Sequence, residues 1–438
     1  MKKVVLFLVV LLLLGGITMG VWYYFIPLEV ENVSYSVNGE VIIATIKVKN
    51  AKENTECIIN DKIYNLVGNE CSFEVENKDS NVVIQNALQR VEQEISPNVN
   101  QVVDFTLSEN KIYLVLEEEK EITFSAKTLG NPKEDIVLTS QDESIARTDK
   151  NKIIGVAAGN TIVEAKVGEV VKNIEVIVTD LITKPVWKGQ DKPRLTCHVY
   201  SEEQAKLLDE LLYYRVEQAG LGTRAGAVAA ARFLTLELPY RVPYFYENGR
   251  LDPKTAVHIV DGEGRYYKRG LYLADSKFEG ISSTWKGPAI WGCPLMNLED
   301  DPESSYYPGQ MRGNGLDCSG FVSWTLVNGG FDPGDVGAGE NPGIYQLTDT
   351  GEYMHLSTEL INSGRIKVGD LFNYWGHISI LVGMTDEYFY IAESLQYKNF
   401  DGATVKQYKK SNVMNTFDYV VLMDSFYKED GNYTEYWE

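Results

Sequence analysis

The sequence predicts a multidomain chain with an N-terminal transmembrane helix, small β-sandwich modules, and a larger C-terminal α+β domain. Three observations carry this expectation. Val4 to about Ile26 is an apolar run interrupted only by small residues and one Thr. From about Pro27 to Asp180, short alternating or β-branched runs are separated by Asn, Asp and Gly, as in small β-sandwiches. At Lys184-Pro185 the pattern changes to helical spacing. A chain of 438 residues is also longer than one ordinary core accommodates.

The first segment, 1–27, reads as a membrane anchor. Its apolar run is long enough to cross a bilayer, whereas a signal-peptide core spans only about 7–15 residues. Lys2 and Lys3 mark the cytoplasmic end and send everything after Pro27 outside, with Trp22, Tyr23 and Tyr24 at the outer headgroup level. A cleaved signal peptide is the alternative, and both readings put the body of the protein outside the cytoplasm.

Residues 28–100 form a first β-rich module and 101–180 a second. Runs such as Val41 to Val48, Ile112 to Leu116, Ile122 to Ala126 and Ile174 to Val178 read as strands. The stretch Val82 to Glu94 has apolar positions compatible with a short helix, so the first module is not expected to be purely β. Cys57 and Cys71 flank the apolar Ile58, Ile59, Ile63 and Tyr64 and are placed to close a hairpin in an oxidising space. Cys197 and Cys293 form a less certain pair, which leaves Cys318 as a free thiol. No two cysteines have metal-ligand spacing, so neither a metal nor another cofactor is predicted.

In the second module, Ser140-Gln141-Asp142-Glu143-Ser144-Ile145-Ala146 precedes Ile153-Ile154-Gly155-Val156-Ala157-Ala158-Gly159-Asn160-Thr161-Ile162-Val163. Over roughly residues 108–179 this resembles the bacterial Ig-like type 2 family. The resemblance implies an Ig-like spacer or adhesion domain, which would hold the C-terminal domain (181–438) away from the membrane.

That domain opens with a helical lead-in, 201–238. Ser201 caps a helix to Ala219 with Gln204 reaching back, Leu207, Leu208, Leu211 and Leu212 form its apolar stripe, and Gly220 ends it. Thr223 opens a second helix, through Ala227 to Leu234, stopped by Pro239. A loop-rich stretch follows, with Tyr240, Tyr244 and Tyr246 clustered near its start.

The chemistry gathers further on. In Asp317-Cys318-Ser319-Gly320-Phe321-Val322-Ser323-Trp324, a helix beginning at Cys318 and ending at Gly329-Gly330 puts a thiol in its first turn. The helix dipole and unpaired amides there favour the thiolate. Ser319 and Gly320 are small enough for a substrate backbone to approach, and their amides are candidates for an oxyanion hole. The second piece, Val368-Gly369-Asp370-Leu371-Phe372 followed by Gly376-His377-Ile378-Ser379-Ile380-Leu381-Val382-Gly383, reads as two strands with His377 at the start of the second. A His there can point across a sheet at a helix N-terminus, as a Cys–His pair requires.

Together these pieces resemble the NlpC/P60 family of papain-like cysteine peptidases, with a core over about 285–425. Gly287-Pro288-Ala289-Ile290-Trp291-Gly292 is similar to the family's Gly-x-Pro-Tyr-x-Trp-Gly element, with Ala289 in place of the tyrosine. An insert from Cys293 to Leu316 follows, longer than the family's connection, in which Tyr306 and Tyr307 are candidate substitutes for that tyrosine. With Trp291 they are candidates for a substrate groove. The third polar residue, which orients the His, falls at Glu393, although a one-residue slip of the strand puts Ala392 there.

The resemblance implies a thiol protease: Cys318 attacks an amide carbonyl, His377 protonates the leaving amine, and water releases the acyl-enzyme. It implies peptidoglycan stem peptides as substrate, often cut at a γ-D-glutamyl bond to a diamino acid. Charge agrees with an envelope role. The net charge of 41 − 62 = −21 argues against nucleic acid and would be repelled by an anionic cell wall, which favours a tether. The expected location is therefore the cell membrane, single-pass, with the body extracytoplasmic and room for an envelope-spanning protein assembly. Another papain-like amide hydrolase or acyltransferase, and a catalytically decayed wall-binding or adhesion protein, are the alternative readings.

Other features read as structural. His198, His258 and His355 lack a motif. Gly334-Asp335-Val336-Gly337-Ala338-Gly339 follows no strand and is a surface turn, and Glu117-Glu118-Glu119 is a solvated turn.

Overall fold

The computed structural model describes residues 26–185, 187, 192–196, 199–244, 294–296, 311–313, 315–333, 336–339, 345–397 and 400–432. The expected anchor up to residue 25, Cys197, His198, His258, the segment 287–292 with Trp291, Cys293, Tyr306 and Tyr307 lie outside the described residues. Among the described residues no helix is long and apolar enough to cross a membrane. The chain divides into two compact units, the second comprising 177–438 together with Tyr113–Glu118 and Gly155–Asn160.

In the N-terminal region, seven strands come first: β1 (Glu29–Asn38), β2 (Val41–Lys49), β3 (Glu56–Ile59), β4 (Lys62–Asn65), β5 (Glu70–Val75), β6 (Ser80–Gln85) and β7 (Arg90–Ile95). They form two antiparallel sheets, β1-β2-β5 and β4-β3-β6-β7. Period-two alternation buries Ile42, Ala44, Ile46 and Val48 of β2, and the last three pack in one core with Phe73, Val82, Ile84 and Ile95. The Cys57–Cys71 disulfide ties β3 of one sheet to β5 of the other.

The expected helix over Val82 to Glu94 is instead the β6–β7 hairpin. Val82, Val83 and Ile84 are β-branched and suit a pleated strand. Asn86 makes the reversal: its Oδ1 accepts the amides of Leu88 and Gln89 at 2.9 and 3.0 Å, a local bond that competes with helix.

Strands β8 (Gln101–Leu107), β9 (Lys111–Val115), β10 (Glu119–Glu121), β11 (Phe124–Leu129), β12 (Val137–Ser140), β13 (Ala146–Asp149), β14 (Lys152–Gly155), β15 (Gly159–Val167) and β16 (Val170–Thr179) follow. Their sheets run β11-β8, β10-β14-β13 and β12-β15-β16-β9. The strand expected at Ile122 to Ala126 breaks at Ile122-Thr123, where the chain leaves one sheet for another. Between β12 and β13, Asp142 Oδ1 accepts both the amide and the hydroxyl of Ser144, which fixes the turn. Gly155 has to be glycine, since a Cβ there would lie 2.5 Å from the Val115 carbonyl oxygen.

The second unit contains α1 (Glu202–Ala219), α2 (Arg224–Arg232), β17 (Pro294–Met296), β18 (Met311–Gly313), α3 (Cys318–Asn328), β19 (Glu352–His355), α4 (Thr358–Asn362), β20 (Leu371–Tyr374), β21 (His377–Met384), β22 (Tyr388–Tyr397), β23 (Phe400–Lys409), β24 (Tyr419–Leu422) and α5 (Asp424–Tyr427). A six-stranded sheet in the order β19-β24-β20-β21-β22-β23 is its centre. Helix α1 carries the Ser201–Gln204 capping box and ends at Gly220. Helix α2 passes into a π-helical turn, Phe233–Glu237, and does not run unbroken toward Pro239. Helix α3 is buried on every side, with Phe321, Val322, Trp324 and Leu326 fully enclosed.

Two ion-pair networks brace this unit. Arg224, fully buried, bonds Asp370 at 2.8 Å and also pairs with Asp424 and Asp430, which pins helix α2 to the Gly369–Asp370 turn before β20. Glu118 is no solvated turn residue. Both its oxygens receive Arg215 at 2.8 Å, and Arg215 Nε reaches Glu237 at 3.0 Å. A surface acid becomes structural here because a half-buried guanidinium needs bidentate partners.

Candidate active site

Cys318 begins α3 because Asp317 caps it. Asp317 is extended, and its Oδ1 accepts the Gly320 amide at 2.7 Å and the Ser319 hydroxyl at 3.1 Å. This corrects one expectation. The Gly320 amide is committed to the cap, so the donors turned toward the sulfur are the amides of Cys318 and Ser319. The Cys318 thiol donates to the Gly376 carbonyl at 3.9 Å and also faces the Ile378 amide, so the sulfur sits against the backbone on both sides of His377.

A second expectation meets an opposing effect. Cys318 is only 8% exposed, and burial, then the charge of Asp317, pushes its thiol up to about 12. The amides and the helix start oppose this shift without overcoming it. Burial and the Asp317 charge therefore work against the thiolate expected from a helix N-terminus.

The hairpin β20–β21 presents His377. Tyr374 pairs directly with His377 across it, leaving Trp375-Gly376 as a two-residue turn. Gly376 takes φ +78°, a conformation glycine adopts at little cost. Asn373 holds the base of the hairpin: its Nδ2 donates to the His377 carbonyl at 2.8 Å and to the Ala338 carbonyl at 3.0 Å, and its Oδ1 accepts from Tyr353 at 2.9 Å. The segment with Ala338, expected to be a surface turn, thus supports the strand; its neighbour Val336 is buried.

His377 and Glu393 are both buried, and His377 Nε2 donates to Glu393 Oε2 at 2.7 Å. The register explains why Glu393 and not Ala392 takes this place. Ala392 lies opposite Ile380, so the next residue shares a face with Ser379 and, two residues along, His377. Glu393 Oε1 also accepts from Tyr408 at 3.2 Å and pairs with Lys406 at 3.1 Å. Burial alone would raise the Glu393 carboxyl, but the hydrogen bond and charge of His377, with Lys406 beside them, hold it below the usual carboxylate range.

Lys406, Tyr408 and Tyr374 were not singled out in the sequence. Lys406 and Tyr408 follow from the alternation of β23, which is paired with β22 throughout, while Tyr374 needs only the hairpin register. Trp375, 84% exposed, was missed too, although a tryptophan directly before Gly376-His377 is a readable signal for a groove. Of the other residues, His355 packs at a tilt against Tyr419 at 4.1 Å and Tyr240 packs edge-on against Tyr200 at 5.6 Å. Among the described residues no cluster of His, Cys, Asp or Glu could hold a metal ion.

No family model matches the chain, and no curated protein matches it. Among solved structures, it is similar in part to domains 4 and 5 of the S-layer protein SbsC, at 13% identity over 24% of this chain and 67% of that one, TM-score 0.18. It is also similar to the N-terminal eight Ig domains of Down Syndrome Cell Adhesion Molecule, at 12% identity over 35% of this chain and 25% of that one, TM-score 0.23. A third is the fibronectin(III)-like modules of Clostridium thermocellum CbhA, at 13% identity over 34% of this chain and 94% of that one, TM-score 0.17. The chain spans only 28% of the longer SbsC structure. Scores this low carry no argument about function. The β-sandwich, Ig-like character of the N-terminal region rests on its own sheets.

Proposed function

We propose that the chain is a cysteine amide hydrolase of the papain-like, NlpC/P60 kind, acting on peptidoglycan stem peptides outside the membrane. The observation that carries this reading is the buried His377–Glu393 pair beside a free thiol at the start of a buried helix. Glu393 occupies Nε2 and leaves Nδ1 of His377 for proton exchange with Cys318. In this mechanism His377 takes the thiol proton as Sγ attacks the scissile carbonyl, and the amides of Cys318 and Ser319 donate to the oxyanion. His377 then protonates the leaving amine. Water, deprotonated by His377, attacks the thioester and regenerates the thiol. Glu393 stabilises the imidazolium formed on the way.

A raised thiol pKa fits a nucleophile that ionises only when its base accepts the proton, with no resting ion pair required. Trp375 is the exposed aromatic wall of the proposed groove. The substrate class comes from the resemblance of Asp317-Cys318-Ser319-Gly320-Phe321 and Gly376-His377 to the family, and the anchor and single-pass location from Lys2-Lys3 and the apolar run. A second reading, a non-catalytic wall-binding or adhesion protein, is favoured by the β-sandwich modules that fill residues 28–180.

The test is to incubate residues 28–438 and the Cys318→Ala variant with purified peptidoglycan and identify the released fragments by mass spectrometry. Stem-peptide cleavage by the parent alone supports the hydrolase and names the bond. Wall binding without release by either protein sinks it in favour of the adhesion protein.

A further inference from the structure

The two oxygens of Glu393 have different partners. Oε2 meets His377 Nε2 at 2.7 Å, whereas Oε1 meets two donors from the next strand, Lys406 Nζ at 3.1 Å and the Tyr408 hydroxyl at 3.2 Å. The ladder puts both donors there. Glu393 lies opposite Thr404, and Lys406 and Tyr408 follow Thr404 at two-residue steps on the same face of β23. The Tyr408 ring packs edge-on against Phe417 at 5.3 Å, which holds its hydroxyl in place. Lys406 keeps 45% of its side chain in solvent, whereas Glu393 keeps 4%. The proposed catalytic steps give neither donor a part.

Resting on the Cys–His reading, we infer that Lys406 is a positioning residue: it fixes Glu393 through Oε1 and, by its charge, keeps the His377–Glu393 pair in the base form that accepts the Cys318 proton. Two donors on one oxygen oppose rotation of the carboxylate, so the same oxygen faces His377 at each turnover. The charge acts on proton uptake. A carboxylate with a neutral imidazole carries one negative charge, and proton uptake leaves the pair with none. A neighbouring ammonium opposes that uptake. The electrostatics of the carboxyl agree: against burial, the hydrogen bond and charge of His377 and then the charge of Lys406 hold Glu393 below its usual range. Because the ammonium is nearly half in solvent, its charge is screened and its effect is smaller than that of a buried cation.

The other titratable groups facing the pair are Tyr374 from β20, Asp317 and Cys318 at the start of α3, and Tyr408 from β23. All are unchanged in variants at position 406. Tyr408 supplies a bond to the same oxygen without a charge, since burial raises its phenol and keeps it protonated. Substitution at 408 therefore separates loss of a bond from loss of a charge.

The experiment is the initial rate of stem-peptide release from purified peptidoglycan by the full-length protein, from pH 5 to 9. It compares the parent with Lys406→Met, Lys406→Arg and Tyr408→Phe, with Cys318→Ala as the blank. The acid limb of the profile reports proton uptake by the pair as a unit. Lys406→Met keeps the length of the side chain and removes its charge. Its acid limb should lie about half a pH unit above the parent's, a rate about three-fold lower on that limb, with the loss fading toward alkaline pH. Lys406→Arg should bring the limb back to the parent's position, and Tyr408→Phe should move it less than Lys406→Met does. A Lys406→Met limb superimposable on the parent's, or a loss equal at every pH, overturns the proposal and leaves the hydrolase reading in place. No release by the parent beyond the Cys318→Ala blank removes that reading and the proposal with it.

Discussion

His377 Nε2 lies 2.7 Å from Glu393 Oε2, and neither side chain has appreciable access to water. Removing the carboxylate leaves a buried imidazole donor unpaired, which costs about 1–3 kcal/mol. Glu393→Ala should lose that much stability in urea unfolding, whereas Glu393→Gln should keep most of it. Both should fall at least about ten-fold in kcat, because neither can stabilise an imidazolium as a carboxylate does.

The same pair sets a pH dependence. Glu393 is held below its ordinary value in the folded chain, so its contribution is fully present above the unfolded value of about 4.5. It is lost as pH falls through the lower folded value. The stability difference between parent and Glu393→Gln, followed by urea unfolding from pH 7 to 3, should therefore shrink only below about pH 4.5.

Asp317 both caps α3 and opposes ionisation of Cys318. Asp317→Asn keeps a good cap and removes the charge. The thiol pKa should fall, and alkylation of Cys318 at pH 8 should quicken by several-fold with the thermal midpoint nearly unchanged. Slower alkylation in a folded variant would contradict the assigned role of the Asp317 charge.

Arg224 and Asp370 are both fully enclosed. Arg224→Ala strands a buried carboxylate that also accepts the Lys367 and Met423 amides, and should cost about 3–5 kcal/mol. Chemical unfolding of the second unit measures it, and a loss under 1 kcal/mol would show that the pair is dispensable.

Trp375 is 84% exposed, so Trp375→Ala should leave the melting temperature unchanged. If the indole lines the groove, the half-saturating concentration of wall peptide should rise about five- to ten-fold, or roughly 1 kcal/mol, with kcat retained. Steady-state kinetics on a soluble stem peptide decides this.

Much of this molecule is legible locally. The capping box at Ser201, the start of α3 at Cys318 and the Gly376-His377 strand start are short-range patterns that the fold preserves. The expectation of a helix over Val82 to Glu94 gave way because Asn86 offered its own turn and the neighbouring strands supplied partners for the freed backbone.

What the sequence by itself determined is the β-rich character of residues 28–180, the helices that start near Ser201, Thr223 and Cys318, and the strand that starts at His377. Only the tertiary structure decided how the groups on these elements are charged and which neighbours they have. Glu393 faces His377 because of a strand register, Lys406 and Tyr408 join it from the next strand, and the Cys318 thiol is pushed up because the fold removes it from water beside Asp317. The physical reason is range. Caps and turns depend on bonds three or four residues long, whereas pairing across a sheet and the desolvation of a charge depend on everything the chain packs around them.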